Sequence, residues 1–498
     1  MEIRLNNIGI VADSTIALNG LTVITGKNNS GKTTVGKTLY SLLDAVRNIH
    51  TKAQRDRWFY IRKQLENVRS KMDAFRFFRN LRSKYLEDLI PEFPALQTFI
   101  QRNAFLAIPD KDIENFAHTL LEELQSLEDS VLKEIIDTHL KESEKTFEYY
   151  SEIAVPNKFD ESYVSRVFPK QRAEAISILV KLFEDMNKDM DLVDYTRESL
   201  NQTLRFEFCN QIQPVKLHTD KSDIELYDGE ETFFKCTINN DKIVNDGKPI
   251  YMKSPFRQVF LIDDPFVLDE ISMNAENVLR YTNRSFEEID TDTASIMHRN
   301  RIYSHKEKLQ IALRYFQKPS ILEQTMLDNS LRAVKKQIDQ IMPGSFEFST
   351  NGDYYIHDGA KLKVSNLATG SKMFSIIKIL LEKGEINDTT VLILDEPEAH
   401  LHPQWQNAFA ETIVLLVKEL NTNILLTTHS PNFMLAIDAY MRKYHIVERT
   451  NFYQTDFLDN GLIQYRCVNN DLGIIYQDFL EYLSQVKMLR NQYLSDTE

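Results

Sequence analysis

Glycine is scarce in this 498-residue chain, 14 in all, under half of what an average usage of about 7% supplies, so where the glycines fall matters more than how many there are. Cysteine is scarcer still. Cys209, Cys236 and Cys467 lie far apart with neither CxxC nor Cys/His ligand spacing. That argues against a disulfide framework or a zinc site and predicts reduced thiols buried as small apolar residues. No basic segment followed by an apolar one opens the chain, and no apolar run is long enough to cross a bilayer; a cytoplasmic protein with no membrane partner is expected. Positive charge is in deficit, with 59 Lys and Arg against 73 Asp and Glu, a formal net charge of −14. This disfavours a surface that coats nucleic acid, while leaving room for a local basic groove. There is no internal repeat or low-complexity segment. With 42% apolar residues, one large or two moderate cores can be buried.

Five glycines, Gly9, Gly20, Gly26, Gly31 and Gly36, fall at the start, and the next is Gly229. The stretch between them reads as helical. Ile113, Phe116, Leu120, Leu124, Leu127, Val131 and Ile135 recur every three or four residues behind Asp110, a candidate N-cap, and Ile176, Leu179, Val180 and Phe183 share a second face. Pro91, Pro94, Pro156 and Pro169 divide the region into several helices. Before it, apolar residues at Ile3, Leu5, Ile8 and Ile10, then Ile16 and Leu18, then Leu21 to Thr25 predict short strands ending in a glycine-rich turn, with a helix from about Lys32. After it, Thr232–Ile238 and Gln258–Ile262 read as strands, and Asn351-Gly352 and Asp358-Gly359 as hairpin turns. The last third alternates strand Val391–Leu394, helix Gln404–Leu420 and strand Ile424–Thr427, a pattern that favours a largely parallel α/β sheet.

Three strand ends carry chemistry. Gly26-Lys27-Asn28-Asn29-Ser30-Gly31-Lys32-Thr33-Thr34 is a full GxxxxGK[ST] phosphate loop between a predicted strand and a predicted helix. Its glycines let backbone wrap phosphate, Lys32 neutralises the β- and γ-phosphates of ATP, and the Thr33 hydroxyl ligates Mg²⁺. Val391-Leu392-Ile393-Leu394-Asp395-Glu396 is an apolar strand delivering two carboxylates at its C-terminal end. Asp395 is suited to hold Mg²⁺ through water, and Glu396 to act as the general base for the attacking water. Ile424-Leu425-Leu426-Thr427-Thr428-His429-Ser430 is a third apolar strand ending in polar residues.

These motifs, in this order, resemble the ABC-type AAA ATPases of the RecF/SMC/OLD group. Glu396-Pro397-Glu398-Ala399-His400-Leu401-His402-Pro403 is similar to a stretch of anti-phage ATPases such as those of Septu, PARIS and retron-linked systems. The resemblance covers about 100 residues at the two ends of the chain. It implies an α/β fold, an ABC-type P-loop ATPase head with a mixed sheet and a large mainly helical insertion. The expected divisions are 1–50 (head with phosphate loop), 51–225 (helical insertion), 226–270 (β-rich return), 271–340 (helical) and 341–498 (rest of the head). It further implies that His429 is the switch histidine reaching the γ-phosphate. Leu367-Ala368-Thr369-Gly370-Ser371-Lys372 takes the place of the signature that faces the opposite subunit's γ-phosphate, with Ala368 where the family usually has serine. Thr369, Ser371 or backbone amides must then serve there. The family's glutamine loop is not placed by sequence; Gln258 is a candidate.

His400 and His402 are spaced like a metal pair but fall on a turn near the expected dimer seam, and Asp263, Asp264, Asp269 and Glu270 read as a strand-ending turn before they read as a nuclease centre. About 70 residues follow His429, fewer than the Toprim nuclease of OLD-type proteins needs, so no nuclease is expected in this chain. The resemblance implies a homodimer or higher homo-oligomer working in antiviral defence with a separately encoded effector nuclease, triggered by a phage protein or nucleic acid. The alternative is a RecF/SMC-like DNA-repair ATPase binding duplex directly, which the acidic charge disfavours. A transporter subunit fits poorly, because the insertion before the signature exceeds 300 residues.

Overall fold

The computed structural model describes residues 1–71, 93–100, 108–128, 161–188, 191–215, 221–244, 254, 256–270, 304–314, 332–349 and 352–495. They form two compact units, Met1–Ile49 with Leu192–Glu498, and His50–Asp191. The first begins with strands β1 (Glu2–Asn6), β2 (Ser14–Ala17) and β3 (Leu21–Thr25), then helix α1 (Lys32–Val46).

The second unit is helical, built from α2 (Ile49–Lys71), α3 (Pro94–Ile100), α4 (Asp110–Ser126) and α5 (Glu161–Met186). The stripe Ile113, Ala117, Leu120 and Leu124 on α4 shares one core with Ile61 and Leu65 of α2, Phe99 of α3 and Leu179 of α5, as the spacing requires. Glu123 is buried there because its carboxylate accepts from the Ala95 and Leu96 amides at 3.0 and 2.7 Å, which have no intrahelical partner at the start of α3. Two expectations are corrected. Pro109 stands at the N-cap of α4 with no side-chain cap, and Asp110 instead accepts from Arg62 Nε at 3.0 Å. Pro169 lies inside α5, whose continuation is secured by the stripe Ala175, Leu179 and Leu182 buried in the core. Pro94 opens α3; Pro91, Val131, Ile135 and Pro156 lie outside the described residues.

The first unit resumes with α6 (Leu192–Glu207), β4 (Ser222–Asp228), β5 (Glu231–Asn239), β6 (Lys242–Val244) and β7 (Gln258–Ile262). It continues through α7 (His305–Arg314), helix α8 over 332–341, and the hairpin strands β8 (Ser345–Ser349), β9 (Gly352–His357) and β10 (Ala360–Lys363). Then come α9 (Thr369–Glu382), β11 (Thr390–Asp395), α10 (Pro403–Leu420), β12 (Asn423–Thr428), α11 (Pro431–Lys443), β13 (Thr450–Phe457), β14 (Ile463–Cys467) and α12 (Gly473–Ser495). Leu200 and Leu204 of α6 pack with Leu39 and Leu43 of α1, so the boundary between units falls after Asp191 and α6 stays with the head. At the β9–β10 turn Asp358 (φ 49°) and Gly359 (φ 76°) both take left-handed backbone, which a two-residue hairpin needs; Asn351 lies outside the described residues.

The central sheet has the order β14-β13-β3-β12-β11-β7. All its pairings are parallel except that of β13 with β14. Its strands β3, β12, β11 and β7 are buried at nearly every position because both faces are covered. Leu392 and Leu394 of β11 join the core containing Phe374 of α9, Phe409 of α10 and Phe433 of α11, whereas Val391 and Ile393 join the core under α1 and the antiparallel sheet β2-β1-β4-β5-β6. Parallel pairing brings the ends of β3, β12 and β11 to one edge, where such sheets place ligands. Of the cysteines only Cys236 is buried; Cys209 and Cys467 are exposed, the first in a left-handed turn after α6 (φ 50°) and the second on edge strand β14. No described helix is long and apolar enough to cross a membrane.

One buried ion triad ties α6 and α7 to the end of β7. His305 Nδ1 lies 2.6 Å from Glu207 Oε2 and Nε2 lies 3.1 Å from Asp263 Oδ1. Burial alone would lower the imidazole pKa, but hydrogen bonds to Asp263 and Glu207 prevail and raise it to about 9. The folded pKa thus exceeds the ordinary His value, so the stabilisation is fully present below about pH 6.5 and is lost as pH rises through about 9. His305→Gln is expected to destabilise the protein most at pH 6, with the gap to wild type shrinking as pH approaches 9.5, as read by melting temperature; a pH-independent gap refutes the charged triad.

Candidate functional site

The phosphate loop leaves β3, every residue of which is buried, and runs directly into α1. Asn29 (φ 60°) and Gly31 (φ 72°) adopt left-handed backbone, the kind of alternation that gathers successive N–H groups into one anion-binding concavity. A Cβ on Gly26 would stand 1.9 Å from Thr455 Oγ1, and one on Gly36 3.0 Å from Ile393 Cγ2. Glycine is required at the first because β13 presses on the loop, and at the second because α1 lies close against β11. Lys32 is 4% exposed, and its ammonium donates to the carbonyls of Gly26 at 3.1 Å and Lys27 at 2.9 Å. Ser30 Oγ is buried without a hydrogen-bond partner, and the Ser30 carbonyl accepts from Tyr465 Oη at 3.3 Å. Asn28 is exposed, and Thr34 sits against Gly9.

Asp395 ends β11 beside this loop. Its Oδ2 accepts from Thr33 Oγ1 at 2.6 Å and its Oδ1 from Thr427 Oγ1 of β12. Glu396 follows in left-handed backbone (φ 50°), a conformation uncommon for a residue with a Cβ and found preferentially at functional sites. Its amide donates to Thr427 O and Oγ1 at 3.2 and 3.1 Å. That turn aims the Glu396 carboxylate across the mouth of the loop, with Oε1 3.3 Å from Lys32 Nζ and Oε2 3.2 Å from His429 Nδ1. Lys32, Glu396 and His429 therefore form one line of contacts, and Thr33 and Asp395 another beside it. The chemistry of this donor set fits Mg²⁺, a hard cation that keeps much of its water and takes one hydroxyl and one carboxylate from the protein. Among the described residues no cluster of three or more His, Cys, Asp or Glu side chains offers a dedicated metal cage.

A family model described as an AAA ATPase domain matches residues 1–434. The chain belongs to the AAA ATPase domain family. With its motif order, it is an ABC-type AAA ATPase of the RecF/SMC/OLD-like group. A curated relative from Vibrio cholerae serotype O1 biovar El Tor, the "Retron Vc95 probable ATPase", is 23% identical over 240 residues, 45% of this chain and 40% of that protein. The match thus spans well under half of the relative's length. Among solved structures, the SMC head domain from Thermotoga maritima is 10% identical, with 94% of this chain and 98% of that one covered at a TM-score of 0.35. An Smc head domain with an extended coiled coil, bound to the C-terminal domain of ScpA and derived from Pyrococcus furiosus, is also 10% identical, covering 98% of each chain at a TM-score of 0.37.

In this AAA ATPase the signature-like residues are built onto a different support from the phosphate loop. Ala368 is the N-cap of α9 and supplies no side-chain cap; Thr369 opens the helix, and a Cβ on Gly370 would meet the His400 carbonyl at 3.2 Å and Trp405 at 3.3 Å. The Ser371 carbonyl accepts from Ser375 Oγ at 2.7 Å. Gln258 is corrected as a glutamine-loop candidate: it starts β7, at the end of the sheet away from the phosphate loop, and its amide oxygen accepts from Arg47 beyond the far end of α1. The residues after the other end of β7 are ion-paired, Asp263 to His305, Asp264 to Lys306 at 3.0 Å and Asp269 to Lys372 at 2.5 Å. They are spread over partners instead of gathered round a metal. His402 accepts from the Gln404 amide at the start of α10, and His400 meets the Phe266 ring edge-on.

Sequence reading passed over Thr427, Thr428 and Glu398. In a run of Leu-Leu-Thr-Thr the threonines look like strand formers, and only the alignment of β12 with β11 turns Thr427 toward Asp395. Thr427→Val keeps shape and burial but removes the donor to Asp395 and the hydroxyl acceptor for the Glu396 amide, leaving that amide only the residue 427 carbonyl. Turnover of ATP is expected to fall about tenfold or more with an unchanged melting temperature; normal turnover in this variant would show that Thr427 does not fix the carboxylates.

Proposed function

We propose that this protein binds ATP and Mg²⁺ at a site completed by a second copy of the chain, hydrolyses the nucleotide, and works as the ATPase subunit of an antiviral defence complex. The observation that carries the catalytic part is the line Lys32–Glu396–His429 at the mouth of the phosphate loop. In it one carboxylate stands within 3.3 Å of both a buried ammonium and an imidazole.

Each group has a role that follows from its chemistry. Loop amides and Lys32 take the charge of the β- and γ-phosphates, and Thr33 with Asp395 holds Mg²⁺, which supplies further charge neutralisation. Glu396 accepts the proton of the attacking water while its oxygen bonds to the γ-phosphorus; the bond to the β–γ bridging oxygen breaks and its electron pair leaves with ADP. Lys32 and His429 are held by Glu396 before nucleotide arrives. A γ-phosphate competes for both, which releases the carboxylate to serve as base. Thr369, Gly370 and Ser371, with the amides around Ala368, act in trans on the partner copy's γ-phosphate. The defence role is supported by the retron ATPase among the relatives. Its effector is proposed to be a separately encoded nuclease, and its trigger a phage protein or nucleic acid.

Two experiments test this reading. Lys32→Ala and Gly370→Glu should each be inactive alone, while mixing them creates heterodimers with one interface free of both lesions. Random pairing gives half the dimers that composition and so recovers about a quarter of wild-type ATPase activity if each site works independently; a fully active Gly370→Glu protein refutes the trans site. Glu396→Gln should retain ATP yet lose turnover by roughly 10²–10⁴-fold. Expressed with the neighbouring reading frame, it should fail to lower phage plating where wild type succeeds. Equal plating with and without the wild-type pair removes the defence role.

A further inference from the structure

The turn that follows Glu396 contains a third carboxylate that the mechanism above does not use. Glu398 is 1% exposed. Its Oε1 accepts from Thr428 Oγ1, and its Oε2 has no hydrogen-bond partner. Burial raises the carboxyl pKa, against the opposing hydrogen bond from Thr428. A buried acid is a costly way to fill space, since leucine or methionine would occupy the same volume without desolvating a charge. Its use is to be sought in what it grips.

What it grips is the turn bearing His429. Thr428 Oγ1 accepts from the Ser430 amide at 3.0 Å. Ser430 Oγ donates to Gln406 Oε1 at 3.3 Å, and Gln406 Nε2 returns to the carbonyls of Glu398 at 3.3 Å and Leu401 at 3.2 Å. The circuit closes on itself. His429 therefore lies between two residues that are both fastened to the turn after β11, while Thr427, one residue earlier, fastens Asp395 and the Glu396 amide. We infer that Glu398 is a positioning residue that holds the Thr428–Ser430 turn, and through it the His429 imidazole, in register with Glu396.

This inference rests on the ATPase reading, and the test separates the two. ATP turnover and equilibrium binding of ATP and ADP are measured on the full chain for Glu398→Ala, Glu398→Gln, Thr428→Val and His429→Ala, and for Glu398→Ala combined with His429→Ala. Glu398→Ala and Thr428→Val are expected to lower kcat about 10–100-fold with KM for ATP within about twofold, the pattern of a misplaced group that acts in the transition state. Glu398→Gln retains the acceptor for Thr428 and should stay within about threefold of wild type. The double variant should be no slower than His429→Ala alone, because the lost interaction is the same one. Multiplicative losses in the double variant, a glutamine variant as slow as alanine, or a rise in KM at constant kcat would each overturn the assignment. Should Glu398→Ala fail to fold, Thr428→Val and Glu398→Gln decide the matter alone. A wild-type protein that binds ATP without hydrolysing it refutes the catalytic reading instead. In that case the preference for ATP over ADP carries the test, and it should be lost to the same degree in Glu398→Ala, His429→Ala and their combination; an intact preference in Glu398→Ala overturns the positioning role.

Discussion

The site depends on the burial of one ammonium group. Lys32 is 4% exposed, and a charge so placed persists only when its donors are satisfied and its charge is matched. The satisfaction comes from the loop's own carbonyls at Gly26 and Lys27 and from Glu396. Loop curvature, the close approach of β13 to Gly26 and the left-handed turn at Glu396 are thus joined requirements. Flattening any one of them leaves the ammonium short of partners. The arrangement also stores the site's specificity for anions, since polyphosphate is a ligand able to replace a carboxylate and two carbonyls around a lysine with greater charge and as many acceptors.

That constraint explains why the turn at Glu396 is strained while the sheet beneath it is not. β3, β11 and β12 are apolar on both faces and fixed in register by parallel pairing, so their carboxyl ends are rigid platforms. Glu396 pays for its φ of 50° with two hydrogen bonds from its amide to Thr427. Rigidity below and strain at the tip are complementary, because a flexible platform would relax the turn and withdraw the carboxylate from Lys32.

Residues whose role depends on local sequence were readable in advance. The phosphate loop needs particular residues at consecutive positions, and the strand before Asp395 and Glu396 announces itself by an unbroken apolar run. The hairpin at Asp358-Gly359 was legible for the same reason, since only a few residue types tolerate its backbone. What escaped was set by register between distant strands. Thr427 and Thr428 are ordinary strand residues until β12 is laid beside β11, and Glu398 looks like a surface acid until the turn after β11 folds over it. Gln258 misled because a strand's sequence does not say which of its ends lies at the phosphate loop. Pro169 misled because tertiary packing along α5 outweighs the local cost of one proline. Cys209 and Cys467 misled because average burial of cysteine says nothing about an edge strand or a left-handed turn.

The two turns at the mouth of the loop are best understood as one element. Thr427, Thr428 and Ser430 supply three hydroxyls within four residues, and these reach Asp395 at the end of β11, Glu398 in the turn after it and Gln406 in α10 respectively, so the end of β12 is tied to the whole passage from β11 into α10. The same passage supplies the His400 carbonyl, from the turn, and the Trp405 ring, from the start of α10, that lie against Gly370. Hydrogen bonds from Ser430 through Gln406 to the Leu401 carbonyl thus link the strand end that bears His429 to residues packed against the start of α9. A γ-phosphate drawing Lys32 and His429 away from Glu396 would by this route shift the helix start offered to a second copy of the chain. In the composite site proposed above, occupancy of one site would by this route bear on the surface that completes another.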